Sequence, residues 1–188
     1  MPHDSAATRT RLLDAAFTEF VERGPAGARV DRIAAQATAN KQAIYAYFGS
    51  KDGLFDAVLT QRLGVLADVV PFRPDDLPAY ALATFDFLLR NPQVMRLTLW
   101  KRLARPDATD AEAAAYREKA ETLLATRPGL GTVERALDVL VLTLSMATTW
   151  AQTEPALLGG ARTSRQRDHR RSLALAVRGA VDALATEP

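Results

Sequence analysis

The sequence predicts an all-α protein of about nine helices. Apolar residues recur at the three- and four-residue spacing of amphipathic helices, and no stretch of useful length alternates in the manner of a β-strand. Proline, glycine and capping residues interrupt this pattern at regular intervals, which separates one helix from the next. With 188 residues, of which 48% are hydrophobic and 24% charged, the chain is large enough to bury its own core.

The first predicted helix has one apolar face and a clear end. Leu13, Phe17, Phe20 and Val21 follow the i, i+4, i+7, i+8 pattern. Gly24-Pro25 ends this helix, because glycine permits a left-handed cap and proline cannot continue it. We expect this helix to complete a three-helix core with the next two, since both are too short to be stable alone.

Two short helices follow, separated by the tight turn Thr38-Ala39-Asn40. Asn40 is a good N-cap for the third helix, because its side-chain oxygen can accept a free amide of the first turn. The expected inward residues are Val30, Ile33, Ala34 and Ala37 on the second helix, and Ile44, Tyr47 and Phe48 on the third.

Six further helices are predicted in the rest of the chain. The fourth begins after Ser50, ends before Pro71 and is long enough to join two domains. The others are expected at about 76–91, 92–105, 109–126, 132–153 and 164–185, with a loop at 159–160. We therefore predict a helix-turn-helix domain at residues 1–50 and a second helical domain at residues 51–188.

The composition argues against an enzyme. The chain has no cysteine, which excludes thiol nucleophiles and cysteine-ligated metals, and its two histidines, His3 and His169, lie at opposite ends. Histidine-based metal sites and Ser-His-Asp catalysis therefore have little basis. The GxSxG, P-loop, GxGxxG and HExxH motifs do not occur. We expect no catalytic activity, no cofactor and no metal.

The charge and hydropathy patterns bear on partners and location. A net charge of +2 is not that of a strongly basic protein that coats nucleic acid, so DNA binding would depend on the placement of a few groups. The first residues contain no apolar signal-peptide core. The longest uncharged stretch, 139–153, is shorter than the roughly 20 apolar residues that cross a membrane. We expect a soluble, cytoplasmic protein without a membrane partner.

Residues 29–55 have the layout of a helix-turn-helix DNA-binding motif, whose second helix lies in the major groove. Lys41 and Gln42 in the first turn of that helix carry donors that suit guanine and adenine. Tyr45 shares their side of the helix, whereas Tyr47 aligns with the apolar face. A purely structural helical hairpin has the same spacing, so the spacing alone leaves both interpretations open.

A sequence motif favours DNA binding. The stretch Ile44-Tyr45-Ala46-Tyr47-Phe48-Gly49-Ser50-Lys51-Asp52-Gly53-Leu54-Phe55 resembles the signature of the tetracycline-repressor (TetR) family of bacterial transcriptional regulators. The resemblance implies a homodimer that binds palindromic double-stranded operator DNA and is released by a small-molecule effector. We favour a repressor. The alternative is an all-helical small-molecule-binding protein, or an interaction adaptor with a degenerate helix-turn-helix.

The resemblance also implies which residues contact DNA. Tyr45 and Lys51 match family residues that contact backbone phosphates, and the other matched positions of the third helix supply base and backbone contacts. The expected DNA-binding residues are Arg29, Asn40, Lys41, Gln42, Ala43, Tyr45, Tyr47 and Lys51.

Two positions depart from the family pattern. The turn usually begins with glycine, whereas Thr38 lacks glycine's freedom at positive φ, so the turn either avoids that conformation or is strained. Arg29 stands where a threonine or serine usually caps the second helix. We expect its guanidinium to contact phosphate in place of the capping hydroxyl.

The eighth and ninth predicted helices are candidates for dimerisation. The eighth is apolar nearly all round, and the ninth carries an apolar seam flanked by small residues. The resemblance implies that two such helices from each subunit pair in a four-helix interface, although packing within the protomer's own core would give the same pattern. The expected interface residues are Leu140, Leu144, Leu173, Val177, Ala180, Val181 and Leu184.

Aromatic and methionine side chains concentrate in the middle helices. Effector pockets are mostly apolar with a few polar groups, but such side chains are also ordinary core residues. Trp100 and Trp150 are the best candidates for a pocket, because tryptophan usually needs a partner for its N–H. The expected effector-binding residues are Phe85, Met95, Trp100, Met146 and Trp150.

Overall fold

A computed structural model describes residues 2–158 and 162–186 as helices with short connections, and this part of the chain contains no strand. The first five helices are α1 (Pro2–Gly27), α2 (Val30–Gln36), α3 (Lys41–Phe48), α4 (Lys51–Val69) and α5 (Leu77–Arg90). The next five are α6 (Pro92–Ala104), α7 (Asp110–Thr126), α8 (Val133–Gln152), α9 (Pro155–Leu158) and α10 (Arg162–Thr186), with a 3-10 turn at Pro128–Leu130. The all-α prediction is confirmed, with the four-residue α9 in addition. The predicted loop at 159–160 lies outside the described residues.

The described residues form two compact units. One comprises the residues up to Val65 together with Gln93–Asp107, and the other comprises Leu66–Pro92 together with the residues from Ala108 onward. The predicted boundary at residue 50 instead assigns α6 to the C-terminal domain. Most of α6 belongs to the first unit because Leu97 and Trp100 pack against its core.

The core of the N-terminal unit joins α1 to α4 and α6 through large apolar side chains. The rings of Phe20 on α1 and Phe55 on α4 meet edge to face, with centroids 5.0 Å apart. The largest fully buried side chains of this core are Leu12, Phe20, Ile33, Ile44, Leu54, Phe55 and Leu97. Because α2 and α3 each bury an isoleucine here, both short helices are held by tertiary packing.

The apolar helix α1 breaks at Gly24, as predicted, and its last turn resumes at Pro25. Gly24 has φ +66° and ψ 170°, a conformation that glycine adopts without strain. A Cβ at this position would lie 3.0 Å from ring carbons of Trp100. The glycine is therefore required by both the backbone angle and the close approach of α6.

The C-terminal unit packs α8 against α5, α7 and α10. Side-chain caps begin three of its helices: Asp76 for α5, Thr109 in a capping box for α7, and Thr132 for α8. Arg127 donates hydrogen bonds to the carbonyls of Pro74 and Asp75, which ties the end of α7 to the start of α5. Within the described ranges, no helix combines the length and apolarity needed to cross a membrane.

Candidate DNA interface

The turn between α2 and α3 is stabilised at both ends by local hydrogen bonds. Asn40 caps α3, with its Oδ1 accepting the Gln42 N–H at 3.0 Å, as predicted. At the end of α2, Ala39 N–H donates to the Ala34 carbonyl at 2.9 Å. This closure places Thr38 at φ +50°, the only positive φ of a non-glycine residue in the described ranges. The turn therefore uses the left-handed conformation and is strained at Thr38.

Helix α3 is anchored on one side and exposed on the other. Ile44 is fully buried in the N-terminal core, and Ala43 packs partly against the same core. Lys41, Gln42 and Tyr45 point to solvent, with Tyr45 47% exposed. The structure thus brings three of the side chains predicted to contact DNA onto one accessible face of the helix.

Lys41 makes an ion pair within the motif. Its Nζ lies 2.7 Å from Oδ1 of Asp31 on α2, and both side chains are exposed. The hydrogen bond and charge of this carboxylate raise the pKa of Lys41, so the ammonium is charged at neutral pH. The predicted base-contacting cation is therefore held in place by a neighbouring helix.

Tyr47 lies at the edge of the apolar face of α3. It is 36% exposed, and its hydroxyl donates to Oγ of Ser5 on α1 at 3.1 Å. The sequence pattern had placed this ring inward. Its polar end instead reaches the surface, where Ser5 supplies an acceptor.

Lys51 and Arg29 lie close to the N-terminus of α2. Lys51 begins α4, and its Nζ is 3.4 Å from the carbonyl oxygen of Ala28. Arg29 is exposed and its side chain makes no capping hydrogen bond with α2. The two cations therefore lie beside a helix N-terminus, a place that favours phosphate.

A buried carboxylate, which the apolar spacing of α1 does not reveal, supports this motif. Glu19 on α1 is only 5% exposed, and its Oε1 accepts the Arg29 N–H at 3.0 Å and the Arg32 Nε–H at 2.8 Å. Arg23 lies 3.5 Å from the other carboxylate oxygen. The signal in the sequence was the lack of a capping side chain at Arg29, which requires an acceptor from elsewhere.

Two family profiles match the chain along most of its length. Residues 12–58 match bacterial regulatory proteins of the tetR family. Residues 76–179 match the tetracyclin repressor-like C-terminal domain. The chain belongs to the TetR family. It is a TetR-family transcriptional regulator, and regulators of this family bind DNA and dimerise.

Individual proteins agree with this assignment. The transcriptional repressor SCO4008 of Streptomyces coelicolor is 39% identical over 158 residues, which cover 81% of this chain and 82% of that protein. The transcriptional regulator RutR of Escherichia coli is 34% identical over 105 residues, 53% of this chain and 50% of RutR. The crystal structure of SCO4942 from Streptomyces coelicolor aligns with this chain at 36% sequence identity and a TM-score of 0.73. The alignment covers 90% of this chain and 96% of the SCO4942 chain.

The structure of this TetR-family chain divides the predicted effector residues between the two units. Met95 and Trp100 lie in the N-terminal unit, where Trp100 packs on Gly24 and its Nε1 lies 3.4 Å from the Val21 carbonyl. Phe85, Met146 and Trp150 lie in the C-terminal unit. The indole N–H of Trp100 thus donates to a backbone carbonyl of α1.

A cluster of rings lies in the C-terminal unit. The centroids of Phe85 and Trp150 are 6.3 Å apart, and His169 on α10 stacks 4.4 Å from Trp150 and 5.2 Å from Phe85. Nε2 of His169 is buried and has no hydrogen-bond partner. Burial, with a smaller contribution from the Arg165 charge, lowers the pKa of His169, so its imidazole is neutral at pH 7.

The predicted dimer residues of this TetR chain lie mainly inside the protomer. Leu140, Leu173, Val177 and Val181 are buried in the C-terminal unit, where α8 and α10 pack against each other. The other three, Leu144, Ala180 and Leu184, are half-buried. The apolar seam therefore builds the protomer's own core, because the inward faces of α8 and α10 need each other. The large apolar side chains that the described parts of these helices expose are Val141, Leu142 and Leu175.

Proposed function

We propose that this regulator is a repressor that binds a two-fold symmetric operator as a homodimer, with α3 in the major groove of each half-site. The observation that carries the proposal is the accessible face of Lys41, Gln42 and Tyr45 on a helix anchored by Ile44. Repression is supported by SCO4008, whose name describes a repressor. Family membership favours this function over an adaptor or a small-molecule carrier.

Each contacting residue has a role that suits its chemistry. Lys41 and Gln42 donate to base edges, and Gln42 can pair with adenine through two hydrogen bonds. Tyr45, Lys51 and Arg29 donate to phosphates, which fix the register of the protein on the duplex. Asn40 and Tyr47 contribute less to DNA binding, because the side-chain oxygen of Asn40 caps α3 and the Tyr47 hydroxyl donates to Ser5. Ala43, which is half-buried, adds only apolar contact.

We place the dimer interface on the outer faces of α8 and α10. Val141, Leu142 and Leu175 are the exposed apolar side chains there, and Leu175 is 63% exposed. The half-buried residues among those predicted for the interface, such as Leu144, are partly accessible and can also contact a partner subunit. Two protomers double the number of DNA contacts and match a palindrome, which one short recognition helix cannot do.

We place the effector in the C-terminal unit, beside the rings of Phe85, Trp150 and His169. The unpartnered Nε2 of His169 offers one polar contact in an apolar setting. A groove of about 210 Å³, to which Met146 contributes, adjoins His169. Because an effector that binds one conformation better shifts the population towards it, binding here would favour a dimer whose recognition helices do not fit the operator.

Selection of binding sites from random duplex DNA at two salt concentrations tests the proposal. A palindromic consensus with salt-sensitive affinity supports a dimeric repressor. Gln42→Ala should change the consensus by weakening one position by about 1–3 kcal/mol, whereas Tyr45→Phe should weaken binding to all sequences alike. A folded, dimeric protein that enriches no sequence with or without bound small molecules would contradict the proposal.

A further inference from the structure

Helix α2 begins without capping acceptors of its own. In a capping box, the N-cap residue and the residue three positions later each supply a side-chain acceptor for a free backbone N–H. In α2 these two positions are Arg29 and Arg32, and guanidinium groups cannot accept hydrogen bonds. Neither position of this capping box can therefore supply a side-chain acceptor to the free N–H groups at the start of α2.

Glu19 supplies the missing acceptor from α1. Its Oε1 takes the Arg29 N–H, which is the bond that an acidic residue at position 32 would make in a capping box. Arg32 holds this oxygen through its own Nε–H at 2.8 Å and also donates to the Gly27 carbonyl at 2.9 Å. The network therefore joins α1, the connection after it, and the first turn of α2.

The carboxylate is committed to these partners. Burial raises the pKa of Glu19, but the hydrogen bonds from Arg32 and Arg29 N–H, with the charges of Arg32 and Arg23, outweigh burial and hold the pKa below its usual value. Glu19 is thus ionised at neutral pH inside the protein. A buried ionised group that loses a partner is costly, so the network fixes the entry of α2 relative to α1.

We propose that Glu19 is the positioning residue of the DNA-binding unit: it replaces the local capping box of α2 and thereby sets how α2 and α3 are presented to DNA. This inference rests on the proposed function, since it assumes that α3 contacts the operator. Glu19 is buried behind α2 and touches no DNA itself. Because the start of α2 uses the backbone of Arg29 and a distant carboxylate, the Arg29 guanidinium stays available for phosphate.

The test compares Glu19→Gln with Glu22→Gln, a matched control at an exposed position of the same helix. Two quantities are measured under conditions where both variants are fully folded: amide exchange of Arg29 by NMR, and affinity for the selected operator across a salt series. Glu19→Gln should speed exchange and weaken operator binding, each by about tenfold, with an unchanged salt slope because no phosphate contact is lost. The control should match the wild type in both.

A second variant separates positioning from general damage. Glu19→Gln/Arg32→Glu places an acceptor at the local capping-box position, so it should recover slow exchange of the Arg29 amide and most of the operator affinity. If Glu19→Gln does not fold, Arg32→Gln removes the other half of the network and is measured in its place.

Three results would overturn the proposal: wild-type exchange and affinity in Glu19→Gln, faster exchange with unchanged affinity, or no recovery in the double variant. If the wild type binds no DNA, the proposed function fails on its own. The exchange rates of the Arg29 amide then decide whether Glu19 caps the N-terminus of α2.

Discussion

Lys41 of the recognition helix is paired with Asp31 of the preceding helix, with 2.7 Å between Nζ and Oδ1. Both side chains are exposed, so the pair adds little to the free energy of unfolding. Under the proposed function, the effect of this pair on DNA binding is larger, because Lys41 would reach a base only by leaving Asp31 or by bringing that carboxylate close to the phosphates. Asp31 would then compete with DNA for the Lys41 ammonium group.

We predict that Asp31→Asn tightens binding to all DNA sequences by about two- to fivefold at low salt, since it frees Lys41 and removes a negative charge from the interface. The urea midpoint should stay at its wild-type value. Fluorescence anisotropy with operator and random duplexes measures the effect, and Glu118→Gln on the exposed side of α7 is the control. Weaker binding would show instead that Asp31 orients Lys41 for its contact.

Thr38→Gly is predicted to raise the free energy of unfolding by about 0.5–1 kcal/mol. Removing the backbone strain of a β-branched residue at φ +50° stabilises the folded chain by about 1–2 kcal/mol. The greater conformational freedom of glycine in the unfolded chain offsets part of this stabilisation. Denaturant titration measures the difference. The free energy of unfolding of Thr38→Asn should lie between those of the wild type and Thr38→Gly, because asparagine tolerates the left-handed conformation better than threonine. A less stable glycine variant would mean that the Thr38 side chain makes a compensating contact.

Gly24→Ala is predicted to destabilise the N-terminal unit by about 2 kcal/mol, because a Cβ there meets both a positive φ and the ring of Trp100. Gly64→Ala is the matched control, since α4 leaves open space around that position. It should stabilise by about 0.5–1 kcal/mol. Thermal unfolding followed by circular dichroism compares them, and equal effects of the two substitutions would contradict the role of Trp100.

Leu175→Glu is predicted to shift the dimer towards monomer, because it places a charge on the apolar face proposed for the interface. Leu157→Glu on α9 is a suitable control, since Leu157 is 74% exposed and lies outside that face. Sedimentation velocity over a range of concentrations reports the change. A dimer that tolerates the charge at 175 would move the interface away from the exposed side of α10.

Acid should remove the contribution of Glu19 to stability. Its pKa is lower in the folded chain than in the unfolded chain, so the contribution is present above the usual carboxyl pKa of about 4.3 and is lost as pH falls through the folded value. The difference in unfolding free energy between wild type and Glu19→Gln should be about 1–3 kcal/mol at pH 7 and smaller at pH 3. Urea titrations at both pH values measure it, and a difference that grows in acid would contradict the assignment.

The sequence predicts what depends on local pattern. The spacing of apolar residues fixes the buried sides of α1, α2 and α3, where Phe20, Ile33 and Ile44 are fully buried. The Asn40 cap is predictable because its acceptor and donor are two residues apart. The exposed positions of Lys41 and Tyr45 follow once Ile44 faces the core.

Contacts between distant segments are not predictable in this way. Glu19 lies off the apolar face of α1 in sequence, and only the packing of α2 on α1 buries it. Periodicity predicts that the Trp100 side chain is covered. It does not predict which helix covers it. Periodicity therefore does not show that the ring of Trp100, a predicted effector residue, packs on Gly24 of α1. The same ambiguity applies to Leu173 and Val177, whose seam suits a partner subunit or the protomer's own core equally well.

The burial of that seam has a consequence for gene control. Because Leu140, Leu173, Val177 and Val181 are already covered within one protomer, we expect the subunits of the proposed dimer to stay folded when they separate. A cell can then hold a reserve of folded single subunits. Under the proposed function, occupancy of a two-fold operator at low abundance would rise with the square of the subunit concentration, so small changes in synthesis of the regulator would become steep changes in the genes it controls.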